Sequence, residues 1–118
     1  MKFMVTRLSD GTSMEEMPPA QRKEMGAKMM QLMDELEKAG VLAHPGSPLA
    51  PPAEAKTLRY GEEGRVVVTD GPFAETKEHV AGYLVLECPS LEEAVGWAKK
   101  FPMVGGSVEV RPLVERPG

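Results

Sequence analysis

The fold is decided by the segment VAGYLVLEC, residues 80–88, and by the segment PSLEEAVGWA, residues 89–98, that follows it directly. The first segment is apolar at nearly every position, which predicts a central strand with apolar residues on both faces. In the second, Ser90 and Glu93 have the spacing of a helix N-cap and its reciprocal acid. The predicted buried stripe of this helix, which Pro102 ends, consists of Leu91, Ala94, Val95, Ala98 and Phe101.

A strand and a helix are also predicted at the start of the chain. Residues 2–8 alternate in part and run into a Ser-Asp-Gly turn, which is typical of a strand. We expect a helix from Pro18 or Pro19 to just before Gly40, because proline is accepted in a first turn and glycine follows a last one. Gly26 lies inside this helix, and we expect a close approach of a neighbouring backbone there. The apolar stripe of the helix is Met25, Met29, Leu32, Met33 and Leu36.

The middle of the chain predicts an edge strand and a hairpin. Residues 41–49 begin as a strand, but Pro45 and Pro48 interrupt it, and proline cannot donate to a sheet ladder. This piece therefore belongs at a sheet edge or in a loop. Residues 56–60 and 65–69 flank the sequence GEEG and predict a hairpin with a four-residue loop.

The last predicted strand, residues 107–113, completes a β-α-β, hairpin, β-α-β order. This order predicts an α+β, ferredoxin-like βαββαβ fold with an inserted hairpin, whose antiparallel sheet has both helices on one face. The other face should be partly apolar, because residues 80–88 are apolar on both sides. An exposed apolar sheet face usually meets a partner, so we expect a symmetric homodimer packed sheet to sheet.

Composition limits the classes of function. The chain has 118 residues and a mass of 12.8 kDa, which predicts one domain over residues 1–118. Its net charge of −4 argues against nucleic acid or an anionic membrane as a partner. Cys88 is its single cysteine, and we find no apolar run long enough to span a bilayer and no signal-peptide pattern. We therefore expect a cytoplasmic protein. Nucleotide, zinc and nucleophile motifs are missing too, so we expect no cofactor and no metal site.

The run VVTDGPFAETKE, residues 67–78, resembles the DGPF signature of the YCII-related family. Matching pieces lie along nearly the whole chain, namely GVL at 40–42, TLR at 57–59, GY at 82–83, LEEA at 91–94 and SVEVRPL at 107–113. The resemblance implies a dimeric α+β barrel built on the ferredoxin-like fold. This agrees with the fold and the homodimer predicted from the residues.

The resemblance does not imply a known reaction, because DGPF-type proteins are largely without an assigned activity. Some members of the wider family are suspected enzymes with a His–Asp pair, whose histidine lies on the first helix. Residues 18–40 of this chain contain no histidine, so only Asp70 has a counterpart. The family also includes members found beside genes for extracytoplasmic-function sigma factors, which implies association with such a regulator.

Asp70 and His79 are the candidate catalytic residues. Asp70 follows a predicted strand, where a carboxylate beside a cleft is suited to act as a general base. Its structural alternative is a turn in which the carboxylate accepts backbone N–H bonds and Gly71 takes a left-handed conformation. His79 is suited to acid or base chemistry near neutral pH, and its alternative is a solvated loop.

The candidate ligand-binding residues are Phe73, Thr76, Lys77 and Arg111. Lys77 and Arg111 suit a small organic anion, and Thr76 lies in the same polar cluster as Lys77. Phe73 is expected in the core or across the dimer, with a cleft wall as its alternative. Arg111 shares a strand face with Glu109, so the two are predicted either to form an ion pair or to line a cavity.

Two functions stay open at this point. In the first, the dimer is an enzyme that acts on a small organic molecule, with Asp70 as the base and cationic side chains that hold an anion. In the second, it is a non-catalytic module that binds a ligand or a protein in regulation linked to a sigma factor. The sequence does not choose between an enzyme and a binding module.

Overall fold

The computed structural model describes residues 1–10, 17–74 and 78–115. Short 3-10 turns lie at 52–54 and 62–64. The strands and helices of the described residues follow in chain order: β1 (Lys2–Ser9), α1 (Pro19–Lys38), β2 (Leu42–Pro48), β3 (Lys56–Tyr60), β4 (Val66–Asp70), β5 (His79–Glu87), α2 (Leu91–Ala98) and β6 (Ser107–Pro112).

Four strands form the main sheet in the order β2-β5-β1-β6, and every neighbouring pair is antiparallel. Since β5 is antiparallel to both β1 and β2, those two strands run parallel with β5 inserted between them. This is the split β-α-β arrangement of the ferredoxin-like fold. The predicted fold class is therefore confirmed.

Both helices lie on one face of this sheet. The register pairs Phe3 with Leu86 and Val5 with Leu84, so these four side chains share a face. They are buried in one cluster with residues from α1 and α2, namely Leu32, Leu36, Ala94 and Ala98. Burying a large apolar side chain contributes about 1.5–3 kcal/mol, so this cluster is the hydrophobic core of the domain.

The start of α2 and the end of α1 follow the predicted signals. Ser90 Oγ accepts a hydrogen bond from the Glu93 backbone N–H at 3.2 Å, and Gly40, two residues after the end of α1, takes a φ of +72°. The predicted end of α2 is wrong, because the helix stops at Ala98, before Phe101 and Pro102. The predicted burial of Leu91 is also wrong, because Leu91 is exposed. It lies in the first turn of α2 beside β6, and β6 is the last strand of the sheet, so no further strand covers its outer side.

The strand β2 lies at the sheet edge, as the prolines predict, and its register shifts on both sides of His44. The expected backbone approach at Gly26 is wrong, since a Cβ built on Gly26 would meet nothing within 4 Å. The close approach occurs at Gly46 instead. There φ is +65°, and a Cβ would lie only 1.7 Å from the Tyr83 carbonyl oxygen.

The predicted hairpin is present, but its second strand begins one residue later than predicted, at Val66, and its loop has five residues instead of four. It also forms its own two-stranded sheet instead of extending the main one. We call residues 56–70 the hairpin arm. The molecule is correspondingly extended, with a radius of gyration of 16.6 Å and dimensions of 49 × 47 × 18 Å. A compact domain of this length has a radius of gyration of about 13.5 Å.

In the part of the chain that the structure describes, no helix has the length and hydrophobicity needed to cross a membrane.

We predict that Leu36→Ala lowers the free energy of unfolding by about 2–5 kcal/mol, because Leu36 is fully buried between α1 and the sheet. Met30→Ala on the same helix is the control. Met30 is 76% exposed, so its change should stay within about 0.5 kcal/mol. Urea unfolding at one protein concentration measures both, and equal effects of the two variants would contradict this placement of the core.

Two glycine-to-alanine variants should have opposite effects. Gly26→Ala is expected to stabilise the protein by about 0.5–1 kcal/mol, because it removes backbone entropy from a helix interior with open space around it. Gly46→Ala is expected to destabilise it by about 2 kcal/mol or more, since its Cβ meets the Tyr83 carbonyl at a positive φ. Thermal unfolding compares the two, and a shift of the same sign in both would contradict the register of β2.

Candidate functional site

Asp70 is the last residue of β4 and lies at the base of the hairpin arm. The register places it directly opposite Lys56, and its Oδ1 lies 2.5 Å from the Lys56 Nζ. The Asp70 side chain is 86% exposed. The expectation that this carboxylate accepts backbone N–H bonds is wrong, because the hairpin register brings an ammonium group to it instead.

The turn after Asp70 closes the base of the arm. Gly71 has a φ of +95°, which confirms the predicted left-handed conformation. Its N–H donates to the Ala55 carbonyl at 2.7 Å, and its own carbonyl accepts from the Thr57 hydroxyl at 2.8 Å. These two bonds continue the hairpin ladder by one residue and fix the direction in which the chain leaves it.

Phe73 leaves this turn with its ring 72% exposed. Its carbonyl accepts a hydrogen bond from Arg59 Nη2 at 2.9 Å, which holds this segment against the arm and outside the core. The predicted core position of Phe73 is therefore wrong, while a contact across a dimer stays a prediction. Two other candidate residues, Thr76 and Lys77, lie outside the residues that the structure describes.

His79 begins β5, where it is partly buried and pairs with Ser9 of β1. Next to it, the Glu78 carboxylate accepts the Ser107 hydroxyl at 3.0 and 3.1 Å. Asp70 and His79 belong to different sheets, and within the described ranges no hydrogen bond joins them. The structure thus shows no direct contact between the two candidate catalytic side chains.

Arg111 lies on the face of the main sheet that no helix covers, and it forms an ion pair at 2.7 Å with Glu109 on the same strand. Arg111 and Asp70 therefore lie on different sheets, Arg111 on the main sheet and Asp70 on the hairpin arm.

We call the face of the main sheet that carries Arg111 the open sheet face. The register assigns to it Met4, Thr6, Leu8, Tyr83, Val85, Glu109 and Arg111. His44 joins it opposite Val85, and its ring stacks on Tyr83 with centroids 6.5 Å apart.

Cys88 is buried among the helix-facing residues, as predicted. Burial raises the pKa of its thiol above the ordinary value, and the nearby Glu93 adds to the rise. A buried thiol with a raised pKa holds little thiolate and is a poor nucleophile. Across residues 1–10, 17–74 and 78–115, no group of three or more His, Cys, Asp or Glu side chains is placed to hold a metal ion.

The sequence analysis missed the two cations at the base of the arm. Lys56 pairs with Asp70, and Arg59 donates to the Phe73 carbonyl without an acidic partner in the described part of the chain. The predicted four-residue loop would have placed residue 56 opposite residue 69, whereas the loop in the structure has five residues and brings Lys56 opposite Asp70. The contact of Arg59 depends on how the chain folds back after Pro72, and no local pattern indicated it.

The two faces of the hairpin arm differ. Alternation places Leu58, Tyr60, Val66 and Val68 on one face, together with the Lys56–Asp70 pair at its base. All four of these large side chains are exposed, Tyr60 to 78%. The opposite face consists of Thr57, Arg59, Val67 and Thr69. We call the first of these the apolar arm face. The site therefore combines an uncovered apolar surface with charged groups at its rim.

Comparison with known proteins shows the family to which this chain belongs. A solved structure, that of 5-chloro-2-hydroxyhydroquinone dehydrochlorinase (TftG) from Burkholderia phenoliruptrix AC1100 in complex with 2,5-dihydroxybenzoquinone, is similar at a TM-score of 0.48. Its sequence is 17% identical, and the match covers 92% of this chain and 91% of that one. An uncharacterized protein of Rhizobium meliloti (strain 1021) is 37% identical over 111 residues, which are 88% of this chain and 89% of the relative. The family model of the YCII-related domain matches residues 1–116. The chain therefore belongs to the YCII-related domain family.

Proposed function

We propose that this protein is a homodimer that binds a small organic anion in a cleft at the base of the hairpin arm, beside Asp70. The observation that carries the proposal is the apolar arm face, four large side chains that no other strand or helix of the described residues covers.

The hairpin arm needs a partner to be stable. A two-stranded hairpin by itself is at best marginally stable in water. Here the two strands pair only with each other, and the side chains of the apolar arm face are half to three-quarters exposed. Covering Leu58, Tyr60, Val66 and Val68 would remove several hundred Å² of apolar surface from water, a strong driving force for association.

A second copy of the chain fits this requirement because the chain has two uncovered surfaces. The apolar arm face is one, and the open sheet face with Met4, Tyr83 and Val85 is the other. In a dimer with twofold symmetry, each copy offers both surfaces to its partner, so one contact covers all four. A different protein would need to supply two matching surfaces of its own.

The surface area of the chain also suits an obligate dimer. The chain exposes 8661 Å², whereas a compact monomer of 12.8 kDa exposes about 6,300 Å². The excess of about 2,400 Å² lies within the range that one subunit buries in a large homodimer interface.

The charges at the base of the arm suit an organic anion. Asp70 neutralises Lys56, but Arg59 has no acidic partner among the residues described, and its Nη2 donates to the carbonyl of the exposed Phe73. A guanidinium binds a carboxylate through paired hydrogen bonds. Arg59 lies on the arm face opposite the apolar arm face.

The contacts favour binding over catalysis at this position. A general base needs a proton to remove and a partner that orients it, and Asp70 is occupied by Lys56. We therefore assign Asp70 the role of holding Lys56 in place. The cytoplasmic location and the association with a sigma-factor-type regulator stay predictions from the sequence analysis.

A pair of adjacent valines tests the dimer. Val68→Lys places a charge on the apolar arm face and should convert the dimer to a monomer in sedimentation at micromolar concentration. Val67→Lys is the matched control, since Val67 is 48% exposed, against 56% for Val68, but lies on the opposite face of the arm. It should leave the dimer intact. A wild-type protein that sediments only as a single chain would refute the proposal.

Binding at the cleft is tested with succinate as a small polar dicarboxylate. We expect it to shift the amide NMR signals of Gly71 and Phe73 at millimolar concentration. Arg59→Gln should weaken this binding severalfold, while Arg65→Gln, at the loop end of the arm, should leave it unchanged. Asp70→Asn should strengthen it, because it frees the Lys56 ammonium for the ligand.

The sign of the Asp70 effect tests how this carboxylate acts on Lys56. Weaker succinate binding in Asp70→Asn would mean that the ligand needs the Lys56 ammonium where Asp70 holds it, and would contradict the expected gain in binding. Equal binding in Arg59→Gln and in the wild type would exclude a cleft at the base of the arm. Circular dichroism of each variant confirms that the fold is retained.

A further inference from the structure

A cavity of about 230 Å³ lies between α1 and the main sheet, at the end where β2 meets β5, and it is partly open to solvent. Its apolar wall includes Met29 and Met33 from α1, Leu84 from β5 and Phe101 from the segment after α2. The residues 45–48 of β2 form its rim, and Arg7 of β1 reaches into its lining. None of these residues belongs to the hairpin arm.

Arg7 interrupts the core pattern of β1. Phe3 and Val5 face the helices, and alternation places Arg7 on the same side, opposite Gly82 of β5. The glycine makes room for the charged group. A Cβ built on Gly82 would lie 3.5 Å from Arg7 Nη2, so a larger side chain there would occupy the space next to the guanidinium.

Arg7 is partly buried, and its guanidinium lacks a partner among the described residues. In the described part of the chain it forms neither a hydrogen bond nor an ion pair, and no acidic side chain is among the cavity-lining residues. Removing a cation from water without a counter-ion is costly, and a cavity that holds one is suited to receive an anion. The five N–H donors of the guanidinium are available for this purpose.

The rim of the cavity is held in place by several contacts. Gly46 takes a positive φ because its backbone passes close to the Tyr83 carbonyl, and its N–H donates to His44 Nδ1 at 3.0 Å. Directly after the rim, the Leu49 N–H donates to the Ala81 carbonyl at 2.8 Å. With Pro45 and Pro48 also in this stretch, the rim is preorganised, which lowers the entropy cost of binding.

We propose that this cavity is a binding site for a small organic monocarboxylate with a flat apolar body, such as an aromatic acid. The carboxylate forms two parallel hydrogen bonds with the Arg7 guanidinium, as planar carboxylates and guanidinium groups do. The apolar body lies between the methionines of α1, whose flexible side chains adapt to its shape, and the ring of Phe101.

The charge and size of the cavity select this class of ligand. One guanidinium balances one carboxylate, whereas a phosphate dianion would bring a second charge into an apolar wall. The volume suits a body of one six-membered ring. The site lies within a single subunit, so it goes beyond the function proposed above and does not depend on the dimer or on Asp70.

Benzoate and benzamide test the proposal, because they have the same shape and differ in charge. Benzoate should bind the wild-type protein and shift the amide NMR signals of Gly46, Gly82 and Phe101, while benzamide binds at least about tenfold more weakly. Inorganic phosphate should leave these signals unchanged. Shifts confined to Gly71 and Phe73 would assign benzoate to the arm cleft and overturn the proposal.

Variants at Arg7 locate the charge. Arg7→Met keeps the length of the side chain and should weaken benzoate binding at least about tenfold, whereas its affinity for benzamide stays the same. Arg7→Lys keeps the charge but loses the paired geometry, and should fall between the two. Lys23→Met removes one positive charge from the exposed surface of α1 and should bind benzoate like the wild type.

The proposal is overturned if the wild-type protein binds neither compound or binds benzoate and benzamide with equal affinity. Undiminished benzoate binding in Arg7→Met would overturn it as well. The wild-type comparison holds even where Arg7→Met does not fold. Sedimentation of Val68→Lys with benzoate separates this proposal from the previous one. A monomeric variant that still binds benzoate supports a site within one subunit, and loss of binding on dissociation contradicts it.

Discussion

The packing of the two central strands, β5 and β1, against the helices is the constraint on which the rest of the structure depends. Leu84 and Leu86 of β5 lie opposite Val5 and Phe3 of β1, and both helices cover them. Alternation then forces the intervening residues, including Tyr83 and Val85, onto the opposite face. Because both α-helices of the described residues pack on one side of the sheet, neither of them covers the open sheet face.

The hairpin arm also lacks a covering layer among the described residues. It leaves the sheet between β2 and β5, and its ten strand residues pair only with each other. Lys56 and Asp70 pair at the base of the apolar arm face, and Arg59 lies on the opposite face, where it donates to the Phe73 carbonyl. An apolar surface with a charged base is the arrangement of an interface that closes over a polar cleft.

Arg7 gives β1 a second role besides packing in the core. A cation in a row of core positions breaks the local rule, and such violations mark functional positions more often than structural ones. The structure accommodates it through Gly82 on one neighbour and a fixed rim on β2. The two proposed sites thus differ in origin, since one needs a second copy of the chain and the other lies within one subunit.

Local patterns in the sequence were enough to predict both helices, the Ser90 cap, the Gly40 end, the edge position of β2 and the presence of the hairpin, but not the register of the hairpin. These features depend on residues a few positions apart. Only the tertiary structure decided that Gly46, not Gly26, has no room for a side chain, that Phe73 stays outside the core, and that Arg7 enters a cavity. These depend on which strands and helices approach one another, and a contact between distant segments leaves no periodic pattern in either of them.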